Sequence, residues 1–166
     1  TQQMRGQMEQ DGTIYWVPTT VAAFGLYCNL DLLKEHKQNV PSTLAEWEAV
    51  CNYFVGQDIT PIIANNDISL KTLAIGVGFY EVYQEGRQME VMERLNRGEA
   101  ALSDYLRSGF ELAEEFIQKR YIDGEAALNT EKNSEDLQEF VKGESPFMLT
   151  GAWSAGRVEA MEPGFA

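Results

Sequence analysis

The strongest constraint on the fold is an alternation: short β-rich runs take turns with amphipathic helical stretches from residue 13 to about residue 153. Thr13-Ile14-Tyr15-Trp16-Val17 is rich in β-formers and stops at Pro18, which cannot donate to a sheet ladder. Asp11-Gly12 just before it is a turn signal. A second β-like run covers Ala23 to Cys28. Asn29 then caps a short helix from Leu30 to His36. Pro41-Ser42-Thr43 opens the clearest helix, with Thr43 as N-cap and Glu46 completing a capping box. Trp47, Val50, Cys51 and Phe54 follow at i, i+3, i+4 and i+7, which puts them on one buried face ending at Gly56. Thr60 to Ala64 suits a buried strand, and Asn65-Asn66-Asp67 is a polar loop at its carboxyl end.

Residues 68–84 are apolar, with Gly76 and Gly78 inside, and predict one buried helix. Residues 87–97 predict a charged surface helix ending near Gly98. Ser103 is the expected cap of the next helix, whose apolar face reads Leu106, Phe110, Ala113 and Ile117. Asn133 or Ser134 caps a helix that turns Leu137, Phe140 and Val141 inward, and Gly143 stands where a terminating glycine belongs. Phe147 to Thr150 is a strand, followed by Gly151-Ala152-Trp153. Residues 1–10, rich in Gln and Met, read as helical. Strands alternating with helices predict an α/β layered domain.

Composition narrows the chemistry. The 166 residues suit one domain, with 44% hydrophobic and 23% charged residues, and a net charge of −13 disfavours phosphate backbones, so no nucleic-acid partner is expected. No apolar run approaches the roughly 20 residues of a membrane helix. His36 is the single histidine, which leaves no histidine-based metal set or triad within the chain. Gly76-Val77-Gly78 lacks the third glycine of a dinucleotide fingerprint and does not lead from a strand into a helix. No cofactor or metal is therefore expected. Asp and Glu total 26, but nothing singles out a pair for glycoside hydrolysis. Cys28 and Cys51 form no C-x-x-C motif and read as small buried hydrophobes; a bridge between them needs Cα atoms within about 7 Å.

The order of the pieces carries more than any one of them. Asp11 to Pro18 (DGTIYWVP) precedes GLYCNLDLL, then PSTLAEWEAV, then ITPIIANN, and later FVKGESPFMLTGAW. This series, from about Asp11 to Trp153, resembles the family-1 extracellular solute-binding proteins, the group that holds maltose-type and glycerol-phosphate-type binders. The resemblance implies an α/β, type II periplasmic-binding-protein-like lobe, helix-rich with a small mixed sheet. Residues 1–18 would end an N-terminal lobe and form a hinge strand over 14–18. Residues 19–153 would form the C-terminal lobe, and 154–166 the start of a return segment. Both ends of the chain look cut, and only half a cleft is expected.

By the same resemblance the chain binds and does not catalyse. The expected function is capture of a sugar or oligosaccharide by lobe closure and delivery to an ABC importer permease. The protein is expected to be extracytoplasmic, periplasmic or lipid-anchored, and a monomer. Two rivals are a sensor-type binder presenting its ligand to a receptor and a glycan-processing enzyme; a purely structural acidic module is a third.

In maltose-type proteins the tryptophan of the Gly-x-Trp segment stacks on sugar, which points to Trp153 and, beside it, Gly151. An indole offers a broad flat surface to the apolar C–H face of a pyranose; the alternative is a core tryptophan at a strand–helix junction. Thr19 and Thr20, after the hinge proline, could hydrogen-bond hydroxyls or be ordinary strand residues. Asn65, Asn66 and Asp67 lie at the carboxyl end of a strand, where ligands of open α/β sheets gather, and are equally default turn residues. Ala22 stands where maltose-type proteins carry a carboxylate, which speaks against maltodextrin. Cys28 replaces a tyrosine usual in the family and reads as a packing change.

Overall fold

The computed structural model describes residues 8–17, 19, 20 and 22–165. A three-stranded sheet runs through the middle in the order β3–β5–β4, from Phe24–Cys28 (β3), Phe147–Gly151 (β5) and Ile62–Ile63 (β4). β5 pairs antiparallel with β3, Phe24 opposite Gly151, and parallel with β4, Ile62 opposite Phe147. All five residues of β5 are buried, as a central strand covered on both faces requires.

Side-chain alternation then divides the core packed on the sheet in two, while Phe79, Val82 and Val91 form a separate small cluster. Ile62, Phe147 and Leu149 join a cluster with Trp47, Val50, Cys51 and Phe54 of α2 (Leu44–Val55) and with Ala113 and Phe116 of α6 (Ser103–Gln118). Ile63 and Met148 face the other way, toward Leu137 and Phe140 of α8 (Glu135–Val141) and Val158 of α9 (Ala155–Met161). The sheet is thus sandwiched between helix layers.

The capping signals are realised. Asn29 Oδ1 accepts the Leu32 N–H at 2.9 Å and starts α1 (Leu30–Glu35). Thr43 Oγ1 accepts the Glu46 N–H at 3.2 Å, while the Glu46 carboxylate reaches the Ser42 N–H at 2.7 Å, one residue earlier than the expected capping box. Gly143, at φ 80, follows the C-cap of α8. Both cysteines are free.

Six expectations are corrected. Of Thr13–Val17 only Thr13–Ile14 (β2) is strand, paired with Glu9–Gln10 (β1) across the Asp11-Gly12 turn. Tyr15, Trp16 and Val17 are 68%, 53% and 72% exposed; the Tyr15 N–H still reaches the Met8 carbonyl across the hairpin at 3.0 Å, but Trp16 and Val17 find no ladder among the described residues, and β-propensity does not make a strand without a partner. Residues 9 and 10 are accordingly strand rather than helix, while residues 1–7, and Pro18 as a strand stop, lie outside the described residues.

Residues 68–84 form two helices, α3 (Ser69–Gly78) and α4 (Tyr80–Gln84), separated at Phe79 and buried on one side only, since Ile75, Tyr80 and Tyr83 are exposed. The charged α5 (Gln88–Asn96) follows, and a short α7 (Gly124–Asn129) stands between α6 and α8. Ser103 is the first helical residue of α6 rather than its cap; the Asp104 carboxylate accepts the Ala101 N–H instead, at 2.9 Å. Likewise neither Asn133 nor Ser134 caps α8 with its side chain. Asp136 Oδ1 takes the N–H groups of Ser134 and Leu137, at 3.1 and 2.8 Å.

The inner face of α6 is Gly109, Ala113 and Phe116, and Phe110 points outward, 52% exposed. Close approach decides this. A Cβ on Gly109 would sit 2.1 Å from the Ala74 carbonyl oxygen, and one on Gly78 would sit 2.3 Å from that of Tyr105. Two glycines let α3 and α6 touch backbone to backbone, which turns the bulky Phe110 out of the contact.

Candidate functional site

Strand directions bring several predicted residues to one end of the sheet. β4 and β5 are parallel, so the loop after Ala64 and the segment after Gly151 emerge at the same end. β3 is antiparallel to β5, so its first residue, Phe24, lies at that end too, opposite Gly151. Ala152 donates its N–H to the Ala23 carbonyl at 2.8 Å, which ties the lead-in of β3 to the end of β5.

Trp153 lies in the short 3₁₀ turn Ala152–Ser154 and is 43% exposed, so it is not a core residue. Its indole meets the Phe24 ring edge to face, centroids 5.3 Å apart at 85°. Its six-membered ring lies against Gly151: a Cβ there would come within 2.2–2.4 Å of three ring carbons. Its Nε1–H donates to Asn133 Oδ1 at 2.8 Å.

The polar loop after β4 divides its labour. Asn65 is 3% exposed and turned inward. Its Oδ1 accepts the N–H groups of Asp67 and Ile68 at 3.2 and 2.9 Å, and its Nδ2 donates to buried Asp136 at 2.8 Å. Its own N–H donates to Ser69 Oγ, which in turn donates to the Leu149 carbonyl at 2.6 Å. This network pins the loop to β5 and α8. Asn66 is exposed, with its N–H donated to the Thr130 carbonyl at 3.0 Å. Asp67 is half-buried and paired with both Lys71 and Lys132. The Lys132 ammonium, seconded by that of Lys71, holds its carboxyl down at about 2.

Lys132 and Asn133 are neighbours in sequence, so one turn links Asp67 to Trp153. Thr19 and Thr20 are exposed in an irregular lead-in to β3, short of the Phe24–Gly151 pair. Ala22 is exposed in the same lead-in, and Val21 lies outside the described residues.

Beside the aromatic pair runs a groove of about 400 Å³ lined by Phe24, Ile68, Lys71, Thr72, Ile75 and Gly76. The arrangement offers flat apolar surface, hydroxyl and ammonium donors and a carboxylate acceptor, a mixture suited to a polyhydroxylated solute. Sequence reasoning did not reach Phe24, Lys71, Thr72 or Asn133. Phe24 joins Trp153 only through the long-range β3–β5 register. Lys71 and Thr72 became site residues only once the predicted buried helix proved half-exposed.

No protein-family model and no curated protein matches the sequence. Solved structures do match the fold. A chitin oligosaccharide binding protein superposes with a TM-score of 0.73 at 21% identity, over 97% of this chain and 39% of that one. A sugar transporter protein from Bacillus licheniformis, in complex with stachyose, gives 0.71 at 18% identity over 100% and 44%. A family 1 extracellular solute-binding protein from Bifidobacterium longum subsp. infantis gives 0.70 at 18% identity over 92% and 39%. The chain spans 39–44% of the length of these proteins, which are described as binding or transport proteins. It therefore has the fold of the family-1 extracellular solute-binding proteins, a type II periplasmic-binding-protein-like architecture that is helix-rich around a small mixed sheet.

Proposed function

We propose that this chain supplies one wall of a cleft that captures a sugar or oligosaccharide, and that the full-length protein hands the solute to the permease of an ABC importer outside the cytoplasm. The observation that carries the reading is the exposed Trp153–Phe24 pair at the carboxyl ends of β4 and β5, beside a groove that carries the Lys71 ammonium and the Thr72 hydroxyl. Aromatic surface receives the C–H face of a sugar ring, and the polar groups receive its hydroxyls. The likeness to proteins described as binding chitin oligosaccharides or stachyose supports the same solute class.

In this reading residues 19–153 form the C-terminal lobe, residues 14–18 a hinge strand leaving the N-terminal lobe, and residues 154–166 the start of the return. The exposed Tyr15–Val17 segment then finds its partner in the other lobe, and closure buries the solute between lobes. Trp153, Asn66, Asp67, Thr19 and Thr20 would face the solute, with Phe24, Lys71 and Thr72, while buried Gly151 would serve from beneath as the seat of the indole. Asn65 would act from behind by fixing the loop. The task is binding as a monomer, without catalysis.

Calorimetric titration of the full-length protein with neutral mono- and oligosaccharides tests this, with uptake of the bound sugar into vesicles carrying the cognate permease as the second arm. Saturable binding of one glycan class is expected. Turnover of that glycan to product, or binding confined to amino acids or peptides, would contradict it.

A further inference from the structure

We infer that Asn133 is a positioning residue that locks the Trp153 indole into place before the solute arrives; the inference rests on the carbohydrate-binding reading above. Asn133 adopts a left-handed backbone, φ 59, a conformation asparagine tolerates better than most residues. Its Oδ1 accepts from Trp153 Nε1 at 2.8 Å and from Ser154 Oγ at 3.3 Å. Its own carbonyl accepts from Arg157 Nη1 at 3.0 Å, so the residue is gripped from both sides of its backbone turn.

Three contacts from three parts of the chain then fix one half-exposed ring. The hydrogen bond holds the pyrrole edge, bare Gly151 receives the benzene ring, and Phe24 closes edge to face at 5.3 Å. A tryptophan serving only as surface cover would give its N–H to water and sample several rotamers. Here the indole's single polar atom is already engaged within the protein. Two consequences follow. The ring meets the solute through its flat surface and not through its N–H. The entropy of ordering a large side chain is also lost on folding rather than on binding, which favours affinity.

The test uses the full-length protein and two variants. Asn133→Gly keeps the left-handed backbone and removes the acceptor; Asn133→Asp keeps both. The indole N–H signal of Trp153, assigned by its disappearance in Trp153→Phe, is followed for exchange with water. Affinity for stachyose and chitin oligosaccharides is measured alongside.

The expected result is faster indole exchange in Asn133→Gly with about 2- to 12-fold weaker glycan binding, and near-wild-type behaviour of Asn133→Asp. Unchanged exchange in Asn133→Gly overturns the lock. Faster exchange with unchanged affinity overturns its role in binding. A wild type that binds no glycan, while Asn133→Gly still frees the indole, overturns the carbohydrate reading and upholds the anchor.

Discussion

Trp47 and Trp153 are the same side chain used in two opposite ways. Trp47 lies in the core, 9% exposed, edge-on to Phe116 and Phe147, and its buried Nε1–H has no hydrogen-bond partner among the described residues. Trp153 is 43% exposed, yet its N–H is bonded at 2.8 Å. In the core, apolar area and shape outweigh an unsatisfied donor, whose desolvation costs about 1–3 kcal/mol. At the end of the sheet there is little area to gain, so the bond can only set orientation. In the proposed reading the difference separates a region built for stability from one that serves recognition, and variants of the two should fail in different assays.

The largest stability effect belongs to the core. Phe116→Ala empties a fully buried site between Trp47 and Tyr121 and should cost about 3–5 kcal/mol in urea unfolding, leaving glycan affinity of the folded fraction intact. A parallel loss of affinity would break the separation. Gly109→Ala comes next. Its methyl would meet the Ala74 carbonyl oxygen at 2.1 Å, backbone that cannot swing away, so about 1–3 kcal/mol of destabilisation is expected. Melting at wild-type temperature would show that α3 and α6 are not in backbone contact.

Trp153→Ala should invert the pattern. Stability should change by about 1 kcal/mol or less, while glycan affinity falls about thirtyfold or more, as for an aromatic hot spot.

Legibility in the sequence follows the same division. The Trp47 face was readable because a cap and a 3.6-residue period agree within twelve residues, and Asn29 and Gly143 were readable because their roles are local. Phe110 misled because two glycines, 31 residues apart, decide how α3 and α6 meet. Tyr15 to Val17 misled because a strand needs a partner. The prominence of Trp153 came through the family resemblance. Its setting did not, because Phe24 reaches it by pairing across 127 residues and Asn133 by a turn 20 residues upstream. Asn65 and Asp67 look alike as turn residues, and only the packing of Asp136 and the two lysines sends one inward and leaves the other at the surface.

Smaller effects sharpen the contrast further. The Asp67 carboxyl, held at about 2, lies below its unfolded value, so its contribution to stability is present above roughly pH 3.9 and is lost as pH falls toward 2. Carboxyl-carbon NMR should find it among the most acidic groups, and Lys132→Ala should move it up further than Lys71→Ala. An ordinary titration near 3.9 would dissolve the link between the loop and the Lys132 turn. Burial, with Glu48 nearby, pushes the Cys51 thiol up to about 12, and burial also raises Cys28. At pH 8 a thiol reagent should label the partly exposed Cys28 slowly and reach Cys51 only on unfolding. Equal labelling rates would mean that the core opens as readily as the edge strand β3.

The central claim is that the exposed tryptophan recognises a glycan without holding the fold together. It is tested most directly by the thermal shift of the full-length protein against a panel of mono- and oligosaccharides, wild type beside Trp153→Ala. At about 100 times its Kd a true ligand adds roughly 2.7 kcal/mol, a readable rise in melting temperature. The account predicts that one glycan class raises the wild-type melting temperature, and that the variant melts close to the unliganded wild type but no longer responds. A variant that responds as the wild type does, or a wild type that no glycan shifts, would contradict it.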